Sequence, residues 1–486
     1  MQQRLQQGFG KPIQTYPLKD SRAVVIGRSL MIGKWSTFTD FLLNYFAERI
    51  GREWIAKEME SADHPIAQWA IEIRKNWPTV DTGIKKRTVN NAFRSILSAA
   101  YNLYLIEHHY EQYEQPLFER LLKRLRARDG FFATLSETNV AAAFLKAGFY
   151  LEYEDDLRPG QHAEFTATYL PTARRFSVEV KTRSGADNGT DLKTRLKLKN
   201  KLSQALKKNL PWTRVVFIDL NIPEIIPDAE SPIHADLLAQ IAEAEHTLKV
   251  NGAPAPPAYL FLINQPFHYN LASTEAQAMI GALGFKLDSF QPRTGSFRDV
   301  IRGREQHPEM HALIESMKIH IEAPATFDGE HPEFVFDPPA RFARWLIGNE
   351  YLVPGPNNEE VIAILQNATV NPQAKTMHGV FQFDGVNFVV NGPMTDAELA
   401  AYTRSPETFF GVVQNVGGHA KNIFELADFF YENYKNTPKE RLLELLKDYP
   451  AIESLRCLSQ NELAIFISEQ WAIGAEEAAK ARKRTI

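Results

Sequence analysis

The spacing of hydrophobic residues changes along the chain, and each change marks a different kind of predicted structure. From about residue 37 to residue 129, apolar residues recur at three- and four-residue intervals, which is typical of amphipathic helices. FTDFLLNYFAERIGREW and PLFERLLKRLRA are examples of this pattern. The sequence therefore predicts a helical N-terminal domain over residues 1–130, whose last helix ends at the turn signal Asp129-Gly130.

The next region, residues 131–288, alternates between helix and strand patterns. SETNVAAAFLKAGF predicts a short helix with Ser136 as its N-cap and Glu137 in its first turn. AEFTATYL and RFSVEVKT predict two strands, and RVVFIDLNIP and AYLFLINQ predict buried strands. A lysine-rich helix is expected from about residue 191 to residue 209. Together these elements predict a central α/β domain.

The last region, residues 289–486, begins with a loop-rich stretch and continues as mixed α and β structure. VFQFDGVNFVV carries an Asp384-Gly385 hairpin signal, while FELADFFYENY and NELAIFISEQWAI have helical periodicity. The whole chain is therefore predicted to be a multidomain α+β protein, with a helical N-terminal domain, a central α/β domain and an α+β C-terminal domain. The C-terminal part carries no motif that predicts chemistry.

Composition is that of a globular chain without a membrane span. Of 486 residues, 44% are hydrophobic and 23% charged, and apolar runs such as AYLFLI fall far short of the roughly 20 residues that a spanning helix needs. The net charge of −4 means that a site for a polyanion must be a local patch. The only cysteine, Cys457, excludes an intramolecular disulfide framework. We therefore expect a cytoplasmic protein with no membrane segment.

The hairpin predicted for AEFTATYL and RFSVEVKT has one unusually charged face. Alternation along RFSVEVKT directs its apolar side chains to the core and leaves Glu179 and Lys181 together on the other, outward face. An antiparallel register that places Leu170 opposite Arg175 collects the apolar side chains of both strands on one face. In that register Glu164 and Glu179 are diagonal neighbours, with Cα atoms roughly 7–8 Å apart. Lys181 then lies beside both carboxylates.

Two carboxylates with an adjacent ammonium group suit phosphodiester hydrolysis assisted by a metal ion. Carboxylate oxygens are the ligands that Mg²⁺ prefers, and the ion polarises a phosphate and lowers the pKa of a bound water. The ammonium group can stabilise charge that develops in the reaction.

The order of these residues resembles that of the PD-(D/E)XK nuclease superfamily, which has a restriction-endonuclease-like fold, a mixed sheet flanked by helices. Here Glu137 lies on a helix, Glu164 begins a strand, and the next strand carries the Glu-Val-Lys triplet that ends at Lys181. A helix and a strand are expected to follow. The resemblance implies that Glu164 and Glu179 bind the metal and that Lys181 orients or activates the attacking water. It also implies that Glu137 adds a ligand or holds a metal-bound water.

Two positions depart from the superfamily's pattern. Glu164 stands where an aspartate is usual, and it follows Ala163 where the family has proline. Many members carry a glutamine with a tyrosine four residues later on the helix after the triplet, whereas here Gln204 is followed by Lys208.

A basic segment around the triplet predicts a surface for nucleic acid. Residues 174–214 contain twelve Lys and Arg against three Asp and Glu, and such a cluster beside a metal site would bind a phosphate backbone. A solvated helix face is the alternative interpretation of these lysines. The predicted nucleic-acid-binding residues are Arg183, Lys193, Lys197, Lys201 and Gln204. The helix at residues 121–128, which includes Arg124, adds a second candidate contact surface.

The resemblance implies a Mg²⁺-dependent endonuclease, with Mn²⁺ as an alternative metal, and DNA rather than RNA as the expected substrate. It further implies a role in prokaryotic genome defence, either as a homo-oligomer or with a defence-system partner protein. Two alternatives remain open. One is a catalytically inactive nuclease-fold subunit that binds nucleic acid or assembles with a partner, and the other is an interaction scaffold with no salt-dependent affinity for nucleic acid.

Two histidines and one cysteine, residue types that can be reactive, are expected to have ordinary structural roles. His108 and His109 lie within a helical pattern and are expected at its surface. Cys457, in the helical context LRCLSQ, is expected in the core rather than as a nucleophile.

Overall fold

The structure is a computed structural model, and it forms two compact units. It describes residues 7–75, 89–110, 115–153, 163–183, 196–224, 226, 231–275, 277–287, 289–290, 296–327, 345–355, 359–404, 409–410 and 423–484. One unit comprises Met1–Lys286 with Ala312–Val416, and the other comprises Leu287–His311 with Gly417–Ile486. The division into three domains at residues 130 and 288 stays a prediction.

The N-terminal region combines a small sheet with the helices that its periodicity predicts. An antiparallel sheet comes first, made of β1 (Thr15–Pro17), β2 (Arg22–Ile26) and β3 (Ser29–Gly33). The helices that follow among the described residues are α1 (Phe38–Ile50), α2 (Arg52–Ser61), α3 (Pro65–Lys75), α4 (Asn91–His109) and α5 (Gln115–Arg126). Thr37 caps α1 in a capping box with Asp40.

His108 and His109 fasten the N-terminal segment to α4, so the expectation that they are surface residues is wrong. His108 is buried; its Nδ1 accepts a hydrogen bond from Gly27 N, and its Nε2 lies 3.2 Å from Pro12 O. The Nε2 of His109 accepts from Lys11 N, and its Nδ1 lies 2.7 Å from a carbonyl oxygen of α4. Each ring therefore makes hydrogen-bonding contacts with backbone groups. Helical periodicity in a sequence cannot reveal such contacts.

Helix α6 (Phe131–Lys146) begins before its predicted start. Gly130 precedes it with a left-handed φ of 80°, and Phe131 is already buried. Ser136 is therefore inside the helix instead of capping it, and its hydroxyl donates a hydrogen bond to Asp219 Oδ2. The sequence misplaced the start because Ser136 is a good capping residue type but has a tertiary partner here.

A six-stranded mixed sheet forms the centre of the first unit. Its strands in spatial order are β11 (Met279–Phe285), β10 (Ala258–Asn264), β7 (Thr213–Asp219), β6 (Arg174–Thr182), β5 (Phe165–Tyr169) and β4 (Phe149–Tyr153). Strands β4, β5 and β6 are antiparallel, β6, β7 and β10 are parallel, and β11 returns antiparallel to β10. Helices α6, α7 (Leu198–Leu206) and α8 (Pro232–Thr247) flank the sheet. A mixed sheet flanked by helices is therefore confirmed for the central region.

The predicted register between β5 and β6 is wrong by two residues. Tyr169 pairs with Arg174 and Phe165 with Val178, so the connecting turn starts one residue earlier than predicted. Ala173 ends that turn with a left-handed φ of 55°. Because the shift is even, every side chain keeps its predicted face of the sheet.

The remaining elements are mixed α and β, as predicted. The ribbon of β8 (Lys249–Val250) and β9 (Ala253–Pro254) and a 3₁₀ turn (Pro266–Tyr269) belong to the first unit. A four-stranded antiparallel sheet contains β12 (Glu350–Pro354), β13 (Glu360–Asn371), β14 (Thr376–Phe383) and β15 (Val386–Pro393). The other helices in the described parts of the chain are α9 (Phe297–Gln306), α10 (Pro308–Ile319), α11 (Asp396–Arg404), α12 (Ile423–Tyr434), α13 (Lys439–Leu445), α14 (Ile452–Leu455) and α15 (Gln460–Arg484).

Two details of this region bear on the sequence predictions. Asp384 and Gly385 connect β14 to β15 with φ of 48° and 77°, which confirms the hairpin signal. Cys457 is exposed rather than in the core.

Within the described residues, no helix has the length and apolar character needed to cross a membrane.

Candidate active site

Glu179 lies near the middle of the sheet, and its side chain has no exposed surface. It pairs with Val216 of β7, so it shares a face with that residue. Val216 belongs to a hydrophobic cluster that includes Leu202 of α7. The expectation that Glu179 faces outward is therefore wrong, because β6 is an inner strand covered on both faces.

Lys181 joins the two predicted metal-binding carboxylates. Its Nζ lies 2.9 Å from Glu179 Oε2 and 3.4 Å from Glu164 Oε1. Burial by itself would lower the pKa of Lys181, but the two carboxylates, Glu179 foremost, outweigh it and raise that pKa above the ordinary value. Lys181 is therefore an ammonium group at neutral pH.

Glu164 immediately precedes β5 and extends the pairing of that strand. Its backbone N–H donates to Val178 O at 3.0 Å. The paired register of β5 and β6 begins at Phe165, which lies opposite the same Val178. The structure thus brings Glu164, Glu179 and Lys181 together, with the ammonium group of Lys181 in contact with both carboxylates.

Glu137 approaches this cluster from α6, and its direct partner is an arginine of α5. Arg124 Nη2 lies 2.7 Å from Glu137 Oε2 and 2.8 Å from its Oε1. Burial raises the pKa of Glu137, and the nearby Glu164 adds to this effect, whereas Arg124 opposes it. Glu137 is thus near enough to Glu164 to be affected by its charge, while Arg124 holds its carboxylate.

Lys208 is the site residue that sequence reasoning missed. Its Nζ lies 2.7 Å from Glu179 Oε1, the oxygen that Lys181 does not occupy. The carbonyl of Lys208 accepts a hydrogen bond from Arg214 Nη2 at 2.9 Å, which anchors this segment to β7. One feature of the sequence could have pointed to Lys208. It lies four residues after Gln204, at the position where many members of the PD-(D/E)XK superfamily have a tyrosine.

Asp219, at the end of β7, fixes the helix that carries Glu137. Its Oδ2 accepts from Ser136, the neighbour of Glu137, and its Oδ1 accepts from Asn221 N at 3.1 Å. Burial raises the pKa of Asp219 to about 6, against the hydrogen bonds from Ser136 and Asn221. This contact joins the first half of α6 to the carboxyl-terminal end of β7, beside the cluster.

The predicted nucleic-acid-binding residues have different environments. Arg183 is buried and donates to Asn221 O at 2.9 Å, and Lys201 Nζ donates to the carbonyl of Thr182 at 3.0 Å. Lys197 and Gln204 are exposed on or just before α7. Lys193 lies outside the described residues. The role of all five in nucleic-acid binding stays a prediction.

A cavity of about 180 Å³ adjoins the cluster. Glu137 and Glu164 line it, and Arg120 and Arg124 of α5 contribute positive charge. Most of its other lining side chains are apolar or aromatic. The carboxylates therefore border a recess as well as a buried interior.

The cluster has the donor atoms for a hard metal ion, but two of its carboxylates are already paired with cations. Carboxylate oxygens suit Mg²⁺ or Mn²⁺. Both oxygens of Glu179, however, lie against ammonium groups, and Glu137 is paired with Arg124. Within the part of the chain that the structure describes, no group of three His, Cys, Asp or Glu side chains is arranged to hold a metal ion.

Comparison with known proteins did not identify a relative of this chain. No protein-family model, curated protein or solved structure matches the chain. The argument for a function therefore depends on the residues and contacts described above.

Proposed function

We propose that the protein is a metal-dependent nuclease that hydrolyses phosphodiester bonds, with the restriction-endonuclease-like fold in its central region. One observation carries the proposal: Lys181 Nζ lies 2.9 Å from Glu179 and 3.4 Å from Glu164, so side chains of neighbouring strands converge on one point. The helix with Glu137, the strands with the acidic residues, and the helix and strand that follow succeed one another in the order of the PD-(D/E)XK superfamily. This order supports the proposal.

The proposed roles are those that the family resemblance implies for these residues. Lys181 is protonated at neutral pH, so it acts by orienting the two carboxylates and by stabilising negative charge on the phosphate, not by accepting a proton. Glu164 and Glu179 would hold Mg²⁺ or Mn²⁺, and Glu137 would add a ligand or hold a water. When bound, such an ion polarises the phosphate and lowers the pKa of the attacking water.

The substrate is proposed from charge and from the family resemblance. Twelve basic residues against three acidic ones between residues 174 and 214 favour a polyanion. The resemblance favours DNA over RNA and an endonuclease of prokaryotic genome defence that works in the cytoplasm. A homo-oligomer and a complex with a defence-system partner are both compatible with this role.

A cleavage assay tests the function. Plasmid DNA, single-stranded DNA and RNA are incubated with the full chain in Mg²⁺, Mn²⁺ or a chelator. We expect cleavage that requires metal and that falls by at least about 100-fold in Glu179→Gln and Lys181→Met, since each removes charge from the proposed reaction centre.

Glu152→Gln is the matched control, because Glu152 lies on the same sheet but pairs with Arg175. It should cleave like the unchanged protein. Cleavage that is insensitive to both Glu179→Gln and Lys181→Met would overturn the proposed site.

A second candidate is the nuclease-fold subunit that binds nucleic acid without cleaving it. Charge balance favours it: the carboxylates Glu137, Glu164 and Glu179 are matched by three cations without any metal. This candidate predicts salt-dependent binding of nucleic acid with no cleavage in any metal. The same assay, combined with binding measured at several salt concentrations, separates the two.

A further inference from the structure

We propose that Lys208 occupies the place of a metal ion at Glu179, and that nucleic acid opens the site by drawing Lys208 away. The inference rests on the proposed function, because it concerns how the same carboxylate comes to bind metal. It makes metal binding and nucleic-acid binding depend on each other.

The first step is that both carboxylate oxygens of Glu179 are already in contact with lysine side chains. The carboxylate has no exposed surface, with Lys181 Nζ 2.9 Å from Oε2 and Lys208 Nζ 2.7 Å from Oε1. A buried carboxylate needs such compensation, because an isolated charge in the interior is costly. The two lysines therefore supply the positive charge that a metal would otherwise supply.

The second step is that the two lysines are not equivalent. Lys181 extends from the same strand as Glu179 and also contacts Glu164 and the carbonyl of Val180. Lys208 reaches the carboxylate from beyond the end of α7, and its side chain is 31% exposed, compared with 20% for Lys181. Lys208 is therefore the more exposed of the two lysines and the one that does not belong to β6.

The third step is a conflict of charge. A divalent ion bound at Glu179 Oε1 would stand within a few ångströms of the Lys208 ammonium group, and like charges at that separation repel strongly away from water. Metal and Lys208 are thus alternative occupants of this oxygen. The hydrogen bond from Arg214 holds the backbone of residue 208, so the movement falls to its long side chain.

The fourth step identifies what removes Lys208. A phosphate backbone offers a lysine an alternative partner and is the ligand that the surrounding basic segment favours. Thermodynamic linkage then requires that nucleic acid raise the affinity for metal and that metal raise the affinity for nucleic acid by the same factor. Metal would therefore be bound mainly when substrate is present.

The test measures metal binding directly, with no need for cleavage. Mn²⁺ affinity of the full chain is determined by titration calorimetry for the unchanged protein, Lys208→Met and Lys208→Gln. We expect the affinity to rise at least tenfold in both variants. Lys199→Met, which removes a lysine of α7 that contacts Thr247, is the matched control and should change the affinity less than twofold.

Two further measurements locate the effect. Glu179→Gln introduced into Lys208→Met should abolish the gain, because the ion is expected at that carboxylate. A short DNA duplex with phosphorothioate linkages should raise the Mn²⁺ affinity of the unchanged protein, and it should do so much less in Lys208→Met.

The outcomes separate this inference from the nuclease proposal. If Lys208→Met and Lys208→Gln, both folded by circular dichroism, bind Mn²⁺ no more tightly than the unchanged protein, the inference is wrong even when metal-dependent cleavage is observed. A Glu179-dependent gain in affinity without any cleavage would support the inference and reject the nuclease function.

Discussion

At the residue scale, the cluster shows how a sheet can contain a carboxylate that has no contact with solvent. Burial raises the pKa of Glu179, whereas Lys181 and Lys208 oppose that rise. Both lysines are partly exposed, so each brings charge from the surface to a buried acceptor. Removing one of them leaves the carboxylate less compensated, and the loss should appear in the stability of the fold.

Lys181→Met should lower the free energy of unfolding by about 3 kcal/mol, the low end for breaking a buried ion pair, because Lys208 still contacts Glu179. The double variant Glu179→Gln/Lys181→Met should lose less than the sum of the two single losses, by about 1–3 kcal/mol. Chemical denaturation at neutral pH measures all three. Additive losses would show that the two side chains do not stabilise each other.

The exposed pair of Arg175 and Glu152 provides the comparison. Their side chains are 37% and 48% exposed, and solvent screens such a pair. The cycle made with Arg175→Met and Glu152→Gln should give a coupling below about 1 kcal/mol. A coupling as large as that of the buried pair would mean that burial is not what strengthens the Glu179–Lys181 contact.

At the element scale, alternation predicted the faces of β6 but not its depth or its pairing. Glu179 and Lys181 share a face, as predicted, yet nothing in RFSVEVKT shows that α7 covers that face. The register was missed because an even shift keeps all faces unchanged, so alternation cannot detect it. Lys208 was missed because the sequence predicted a helix that extends to about residue 209, whereas α7 ends at Leu206 and Arg214 of β7 holds the carbonyl of Lys208.

The start of α6 is set by backbone conformation, which gives a prediction for Gly130. Its φ of 80° is unfavourable for residues with a Cβ, although an added Cβ would meet no atom within 4 Å. Gly130→Ala should therefore lower the free energy of unfolding by about 1 kcal/mol through backbone strain alone. Gly130→Asn should cost less, because asparagine tolerates this region better. If thermal or chemical unfolding showed Gly130→Ala to be as stable as the unchanged protein, this account would be contradicted.

At the scale of the whole molecule, the cluster draws on parts of the chain that the sequence assigned to different domains. Arg124 lies before the predicted boundary at residue 130, and its partner Glu137 lies after it. Ser136 and Asp219 then tie α6 to the central sheet. Contacts between distant segments of this kind have no signature in local periodicity, so they could not be predicted from it. The first unit is also fastened at its N-terminal end, where two histidines join residues 11–27 to α4.

Those histidines should make the first unit sensitive to acid. Burial lowers the pKa of His108 and of His109 to about 4, whereas an unfolded histidine has a pKa of about 6.5. Between these values the unfolded chain binds protons that the folded chain does not, so stability falls as the pH falls from 6.5 towards 4. In molecular terms, protonation would place a hydrogen on the ring nitrogen that accepts from Gly27 N or Lys11 N.

The variant His108→Gln isolates this effect from the other titrating groups. It should be less stable than the unchanged protein at pH 7.5, because the bonds to Gly27 and Pro12 are weakened. Its disadvantage should shrink by about 2 kcal/mol at pH 4.5, since only the unchanged chain loses stability through this ring. Urea denaturation at both pH values measures the two differences. His246→Gln, at an exposed position of α8, is the control, and a disadvantage of His108→Gln that stays constant with pH would show that His108 is not kept neutral by the fold.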